Sequence, residues 1–203
     1  MRHGVIIAAV FLSNLLYAQT TQRQVGGPCD RCDLMMNGIP GRLTSNTTIA
    51  TSDEPGEPMV LSGTIYRTDK KTPAPGVILY VYHTDNQGEY SRTPSQPANM
   101  VHGHLRGWMK TDANGHYEFR TIRPGSYPSR NAPAHVHALI KEEGKSIYWI
   151  DEYLFDDDPL LTTRERSLQK QRGGVGIIHL KKESNGVWVG KRDIILGMNI
   201  EDY

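Results

Sequence analysis

Short stretches of alternating apolar and polar residues, repeatedly broken by turn residues, run through the chain from residue 59 onward. Residues 60–66 (VLSGTIY) read as a strand with an interior glycine. Residues 77–83 (VILYVYH), β-branched and aromatic, read as a stronger one. Two similar turns follow: Asp85-Asn86-Gln87-Gly88-Glu89-Tyr90 and Asp112-Ala113-Asn114-Gly115-His116-Tyr117 each give a turn signal and then Gly-x-Tyr. After the second, Tyr117-Glu118-Phe119 alternates as a half-buried strand does. A Pro/Gly/Ser loop covers 122–130, residues 134–140 form a further strand, and the aromatic-rich 146–155 is extended. One helix is predicted over 160–171, with Asp158 as N-cap, Pro159 at the first helical position and Gly173-Gly174 as the stop. Strands return at 176–180, 187–189 and 194–196. Many short strands joined by turns predict an all-β, single-domain β-sandwich or barrel over 58–203, with one short helix near the C-terminus.

The segment before this domain has a different texture. Residues 19–57 are rich in Gly, Ser, Thr, Pro and Asn with little periodicity, which predicts an irregular N-terminal arm. Residues 1–18 carry Arg2 and His3, an apolar run from Val5 to Leu16, and Tyr17-Ala18 at the end. That is the build of a cleaved secretory signal peptide, too short for a membrane anchor, and it predicts a secreted or periplasmic protein with no membrane span. The remaining length suits one domain with a real core. A formal net charge of +1, without a Lys/Arg stripe, excludes a nucleic-acid footprint. Cys29 and Cys32 form a C-x-x-C pair that is expected to close as a small disulfide in an oxidising compartment. The alternatives are a thioredoxin-like redox pair or half of a zinc site. Further soft ligands at suitable spacing are not evident, and the pair lies in a loop-like stretch.

The chemistry concentrates in Pro133-Ala134-His135-Val136-His137. On a strand, residues i and i+2 share a face, so the two imidazoles stand side by side, either as a metal-chelating pair or as two solvated histidines. Just upstream, Arg123-Pro124-Gly125-Ser126-Tyr127-Pro128 puts a tyrosine on a stiff loop, and Gly88-Glu89-Tyr90-Ser91 ends a turn after the strongest strand. Tyr117 alternates with Phe119 and reads as core; Tyr80 and Tyr82 read as packing residues. His102 and His104 form a second H-x-H in a glycine-containing loop that could line a pocket.

Strand, turn, Gly-x-Tyr-Ser, then Pro-Gly-x-Tyr, then Pro-Ala-His-x-His, in this order over roughly 58–158, resembles the catalytic domain of intradiol ring-cleavage dioxygenases, which include catechol 1,2-dioxygenases and protocatechuate 3,4-dioxygenases. The resemblance implies Fe(3+) held by Tyr90, Tyr127, His135 and His137. It also implies an aromatic diol and O2 as partners, and cleavage to a muconate-type diacid with Tyr127 displaced by substrate. Ferric iron is a hard cation that suits phenolate oxygen. Where relatives carry an Arg three residues before the first His, this chain has Ala132; Arg130 is the nearest substitute and a candidate catalytic residue. Where relatives carry a Gln about fourteen residues after the second His, this chain reads Ile150-Asp151-Glu152. The arm stands in place of the helical dimerisation segment of catechol 1,2-dioxygenases, and a homo-oligomer stays open. Two other readings compete: a secreted binding module with a degenerate metal site, and a zinc hydrolase using His135 and His137 with Asp151 or Glu152.

Overall fold

A computed structural model describes residues 22–203, so the leader expected over 1–18 lies outside the described residues. Among the described residues the strands are β1 (Asn46–Thr48), β2 (Pro58–Tyr66), β3 (Ile78–His83), β4 (Arg106–Lys110), β5 (His116–Ile122), β6 (His135–Lys141), β7 (Tyr148–Phe155), β8 (Ile177–Ile178), β9 (Leu180–Lys182), β10 (Trp188–Lys191) and β11 (Ile194–Ile195). They make two sheets. One runs β1-β5-β2-β10-β9, with β11 taking up parallel pairing with β2 beyond β10; the other runs β4-β3-β6-β7-β8. The sheets form the predicted sandwich. Leu61 and Ile65 of β2 and Phe119 of β5 share one buried cluster with Leu79 of β3 and Val136 and Ala138 of β6.

The period-2 pattern explains which residues turn inward. In β2 every second residue from Met59 to Ile65 is buried. The interior glycine has a steric reason: a Cβ on Gly63 would sit 1.8 Å from the carbonyl oxygen of Arg192, where the chain between β10 and β11 crosses β2. In β6 the same alternation buries Val136 and Ala138 in the core and leaves His135 and His137 on the outer face.

The arm is more ordered than its composition implies. β1 joins the sheet edge parallel to β5, and a 3₁₀ turn, Cys32–Met36, lies on the outer face of the second sheet. There Cys32 and Met35 are buried with Tyr80 and Leu139, and the Trp108 indole donates to the Met35 carbonyl at 2.7 Å. Cys29 and Cys32 are disulfide-bonded. Closing so short a loop restricts the unfolded chain modestly. Replacing both cysteines by serine is expected to lower the unfolding free energy by about 2 kcal/mol. Chemical denaturation measures this, and no change would contradict it.

The predicted helix contracts to α1 (Thr163–Ser167), capped by Thr162, whose Oγ1 accepts from the Glu165 amide at 3.2 Å. Asp158, read as the cap, is buried instead. One carboxylate oxygen accepts from the Leu160 amide at 2.8 Å and the other from the Ala134 amide at 2.7 Å. Asp158 thus serves a local and a long-range partner at once and ties this loop to the start of the histidine strand.

Candidate metal centre

Two interlocked loops bring the tyrosines to β6. In the first, Asp85 Oδ1 accepts from the amides of Gln87 and Glu89 at 2.9 and 3.0 Å, and Oδ2 accepts from the Ser91 hydroxyl at 2.6 Å. This Asx-type turn sets the path into Tyr90. Gly88 has φ +86°, and a Cβ there would lie 1.9 Å from the Ser126 carbonyl oxygen. The first tyrosine loop therefore rests directly on the second. The Gly125 amide donates to the Asp85 carbonyl and the Thr84 hydroxyl to the Gly125 carbonyl, each at 2.8 Å.

The four residues singled out by the sequence come together. The phenol oxygens of Tyr90 and Tyr127 lie 2.7 Å apart. Tyr127 Oη lies 3.2 Å from His135 Nε2 and 3.4 Å from His137 Nε2, and the two Nε2 atoms lie 3.1 Å apart. Ligands at about 2.0–2.2 Å from one metal, separated by right to tetrahedral angles, stand roughly 2.8–3.6 Å from one another.

The histidine tautomers make this set fit a cation. His135 Nδ1 lies 2.7 Å from the Pro133 carbonyl oxygen, which can only accept, so Nδ1 carries the proton. His137 Nδ1 faces Glu152 Oε1 at 3.5 Å, and a carboxylate likewise accepts. Both Nε2 atoms then present lone pairs to each other, a repulsive arrangement that a shared positive centre relieves. Carbonyl and carboxylate partners of this kind orient metal-ligating histidines. Burial pushes the phenols of Tyr90 and Tyr127 above the ordinary tyrosine range. Without a cation they are neutral; a bound cation favours the phenolate. Burial also lowers the basicity of His135, keeping it neutral and ligand-competent.

Glu152, rather than Asp151, is the outer partner, and a β-bulge explains why. Val136 pairs with Tyr153 and Ala138 with Ile150, so Asp151 and Glu152 together oppose the single residue His137. Asp151 turns inward and accepts from the Gln171 amide at 2.6 Å, while Glu152 is aimed at His137. Burial alone would raise the Glu152 carboxyl; hydrogen bonding, chiefly from His137, outweighs it and brings the group down to about 2. Glu152→Gln keeps the shape and weakens the acceptor. Iron affinity is expected to fall by about 10-fold, the lower end for outer partners of metal ligands. Competition with a chelator measures this, and an unchanged affinity would deny Glu152 that role.

Two residues read as packing or loop complete the wall. Tyr82, register partner of His137, stacks between His137 (centroids 4.6 Å) and His102 (3.7 Å). His102 is buried, and the Tyr80 hydroxyl meets its Nδ1 at 2.9 Å; burial lowers this histidine to about 4. His104 points elsewhere, to Glu54 at 2.9 Å. Tyr117 is core, its hydroxyl donating to the Arg192 carbonyl at 2.6 Å. Arg130 lies with its guanidinium carbon 5.9 Å from the Tyr127 ring centroid and lines a cavity of about 310 Å³ beside Tyr90 and Tyr127. Ala132 brings no charge to the site. Among the described residues no group of three or more His, Cys, Asp or Glu side chains could hold a metal. The carboxylates that a zinc hydrolase would recruit are turned inward (Asp151) or sit behind His137 on its Nδ1 side (Glu152).

Comparison with known proteins points to a dioxygenase family. A family model described as a dioxygenase matches residues 40–167. Catechol 1,2-dioxygenase 1 of Acinetobacter lwoffii is 29% identical over 150 residues, covering 62% of this chain and 47% of the relative. Chlorocatechol 1,2-dioxygenase of Rhodococcus opacus is 31% identical over 137 residues, covering 59% of this chain and 51% of the relative. The chain thus spans about half the length of these curated relatives. The solved dioxygenase domain of a dioxygenase carbohydrate-binding protein fusion from Streptomyces sp. SirexAA-E superposes with a TM-score of 0.58 at 23% identity, covering 79% of this chain and 94% of that domain.

Proposed function

Since the chain belongs to the intradiol ring-cleavage dioxygenase family, we propose that it is a secreted or periplasmic Fe(3+) enzyme that opens a catechol-type ring with O2. The bond between the two hydroxylated carbons breaks, both oxygen atoms enter the product, and a muconate-type diacid results. The observation that carries this reading is the convergence of Tyr127 Oη with the Tyr90 phenol oxygen and with two bare imidazole Nε2 atoms, in contacts of 2.7–3.4 Å. Bound by Tyr90, Tyr127, His135 and His137, a ferric ion supplies an electron-poor, redox-active centre for a catecholate and O2.

The chain's own residues do the rest. Pro133 and Glu152 hold the two imidazoles with Nε2 forward. Tyr127, which the family resemblance marks as the ligand that substrate displaces, would take a catechol proton on its Oη; like Tyr90 it sits on a loop. The nearby charge of Arg130 favours its phenolate in the resting state. The stack of Tyr82 on His137 excludes water from one side.

A binding module with a degenerate site would have no use for two histidines whose tautomers are both set for a cation. The test is oxygen uptake by the purified iron-loaded protein with catechol, with the product followed by its ultraviolet absorbance. One O2 consumed per catechol and a muconate-type product are expected. Iron binding with no uptake on catechol, hydroxyquinol or protocatechuate would favour the binding module.

A further inference from the structure

On the His137 side of the centre, between the disulfide-closed arm and the outer face of β6 and β7, lies a cavity of about 360 Å³. Its volume is in the range of small-molecule sites. Cys29, Tyr82 and Trp149 contribute to its walls, and Asp30 and Glu152 are its charged side chains; no Lys or Arg lines it. Glu152 has one oxygen directed to His137, which leaves the second free for a ligand.

The two nearby guanidinium groups, Arg172 and Arg31, are engaged with backbone carbonyls. Arg172 covers a face of Trp149 at 3.7 Å, but it is buried and donates to the carbonyls of Gly26 and Trp149. Lys170 lies 5.7 Å from the same ring. Arg31 donates to the Asn99 carbonyl. Arg130 lines the separate cavity beside the tyrosines, and position 132 is alanine. The cavity next to the ligand His137 is therefore acidic with aromatic walls. It repels a substrate carboxylate and attracts a cation.

Resting on the ring-cleavage reading above, we propose that the substrate is a catechol bearing a cationic, amine-terminated side chain, with its ammonium group between Asp30 and Glu152. The short arm turn places Asp30 there, so the disulfide-bonded segment sets specificity by charge as well as by shape.

The test is calorimetric binding to the iron-loaded protein of two monophenols of similar size, tyramine and 3-(4-hydroxyphenyl)propionate. Tyramine is expected to bind at least 10-fold more tightly, with a preference that shrinks at high salt. Asp30→Asn is expected to reduce the preference at least fivefold, and Asp30→Glu to retain it. Equal affinities, tighter binding of the propionate, or an undiminished preference in Asp30→Asn would overturn the proposal. Oxygen uptake with 4-methylcatechol and 4-(2-aminoethyl)catechol separates the two readings. Cleavage of 4-methylcatechol with no tyramine preference removes the cationic substrate and keeps ring cleavage. A tyramine preference with neither catechol cleaved removes ring cleavage and leaves a cation-binding cavity.

Discussion

Tyr90→Phe is expected to weaken and shift the visible band of the iron-loaded protein, Tyr127 being then its one phenolate, and to cut catechol cleavage by at least about 100-fold, beyond the effect typical of an outer partner. The ring packs near Tyr82 and His137, with centroids 6.0 and 6.4 Å away, and phenylalanine preserves those contacts. Only Oη is lost, and with it one contact of 2.7 Å to Tyr127. The fold should therefore survive, with a stability change of about 1 kcal/mol. Activity should not, because one of the two phenolates that favour ferric iron is gone. Steady-state oxygen uptake and thermal unfolding of the same preparation separate these effects. A variant with an unchanged visible band and full activity would contradict the ligand assignment.

Gly88→Ala is expected to do comparable damage from outside the ligand set. An alanine at φ +86° costs about 1–2 kcal/mol from backbone conformation alone. The added Cβ would also lie 1.9 Å from the Ser126 carbonyl oxygen, with the Pro128 ring at 3.0 Å. One of the two tyrosine loops must move, and the 2.7 Å approach of Tyr90 to Tyr127 depends on both. The expected result is a loss of roughly 3 kcal/mol or more in stability, in the range of strain and overpacking effects, together with weakened iron binding. Denaturation and metal titration measure the two losses. A variant that unfolds and binds iron like the parent would show that the loops are not locked through this glycine.

How far the sequence reaches follows the range of the interactions. The strands were legible because burial at every second position is a local pattern: β2, β3 and β6 appear within a residue or two of their expected bounds. The candidate ligands were legible for a related reason. His135 and His137 are two apart on a strand; Tyr90 and Tyr127 stood out by the order of motifs that resembles the family, since Tyr117 follows the same kind of turn and is core. What stayed hidden depends on pairing between distant segments. The bulge that swaps Asp151 for Glu152 exists only in the register of β6 against β7. Tyr82 reads as packing until β3 is laid beside β6 and the residue falls opposite His137. Asp158 has the local chemistry of a helix cap, yet the Ala134 amide, 24 residues away, claims part of it. The arm lacks periodicity because it is held by single contacts, such as Trp108 to Met35, rather than by a repeating face.

The most direct test of the ferric tyrosinate centre is a visible spectrum of the iron-reconstituted protein, with metal analysis, before and after adding catechol under nitrogen. Expected is a broad phenolate-to-iron band with about one iron per chain, shifting when catechol binds. A protein that stays colourless after reconstitution, or that holds zinc in preference to iron, would contradict the assignment of Tyr90, Tyr127, His135 and His137 as an iron site.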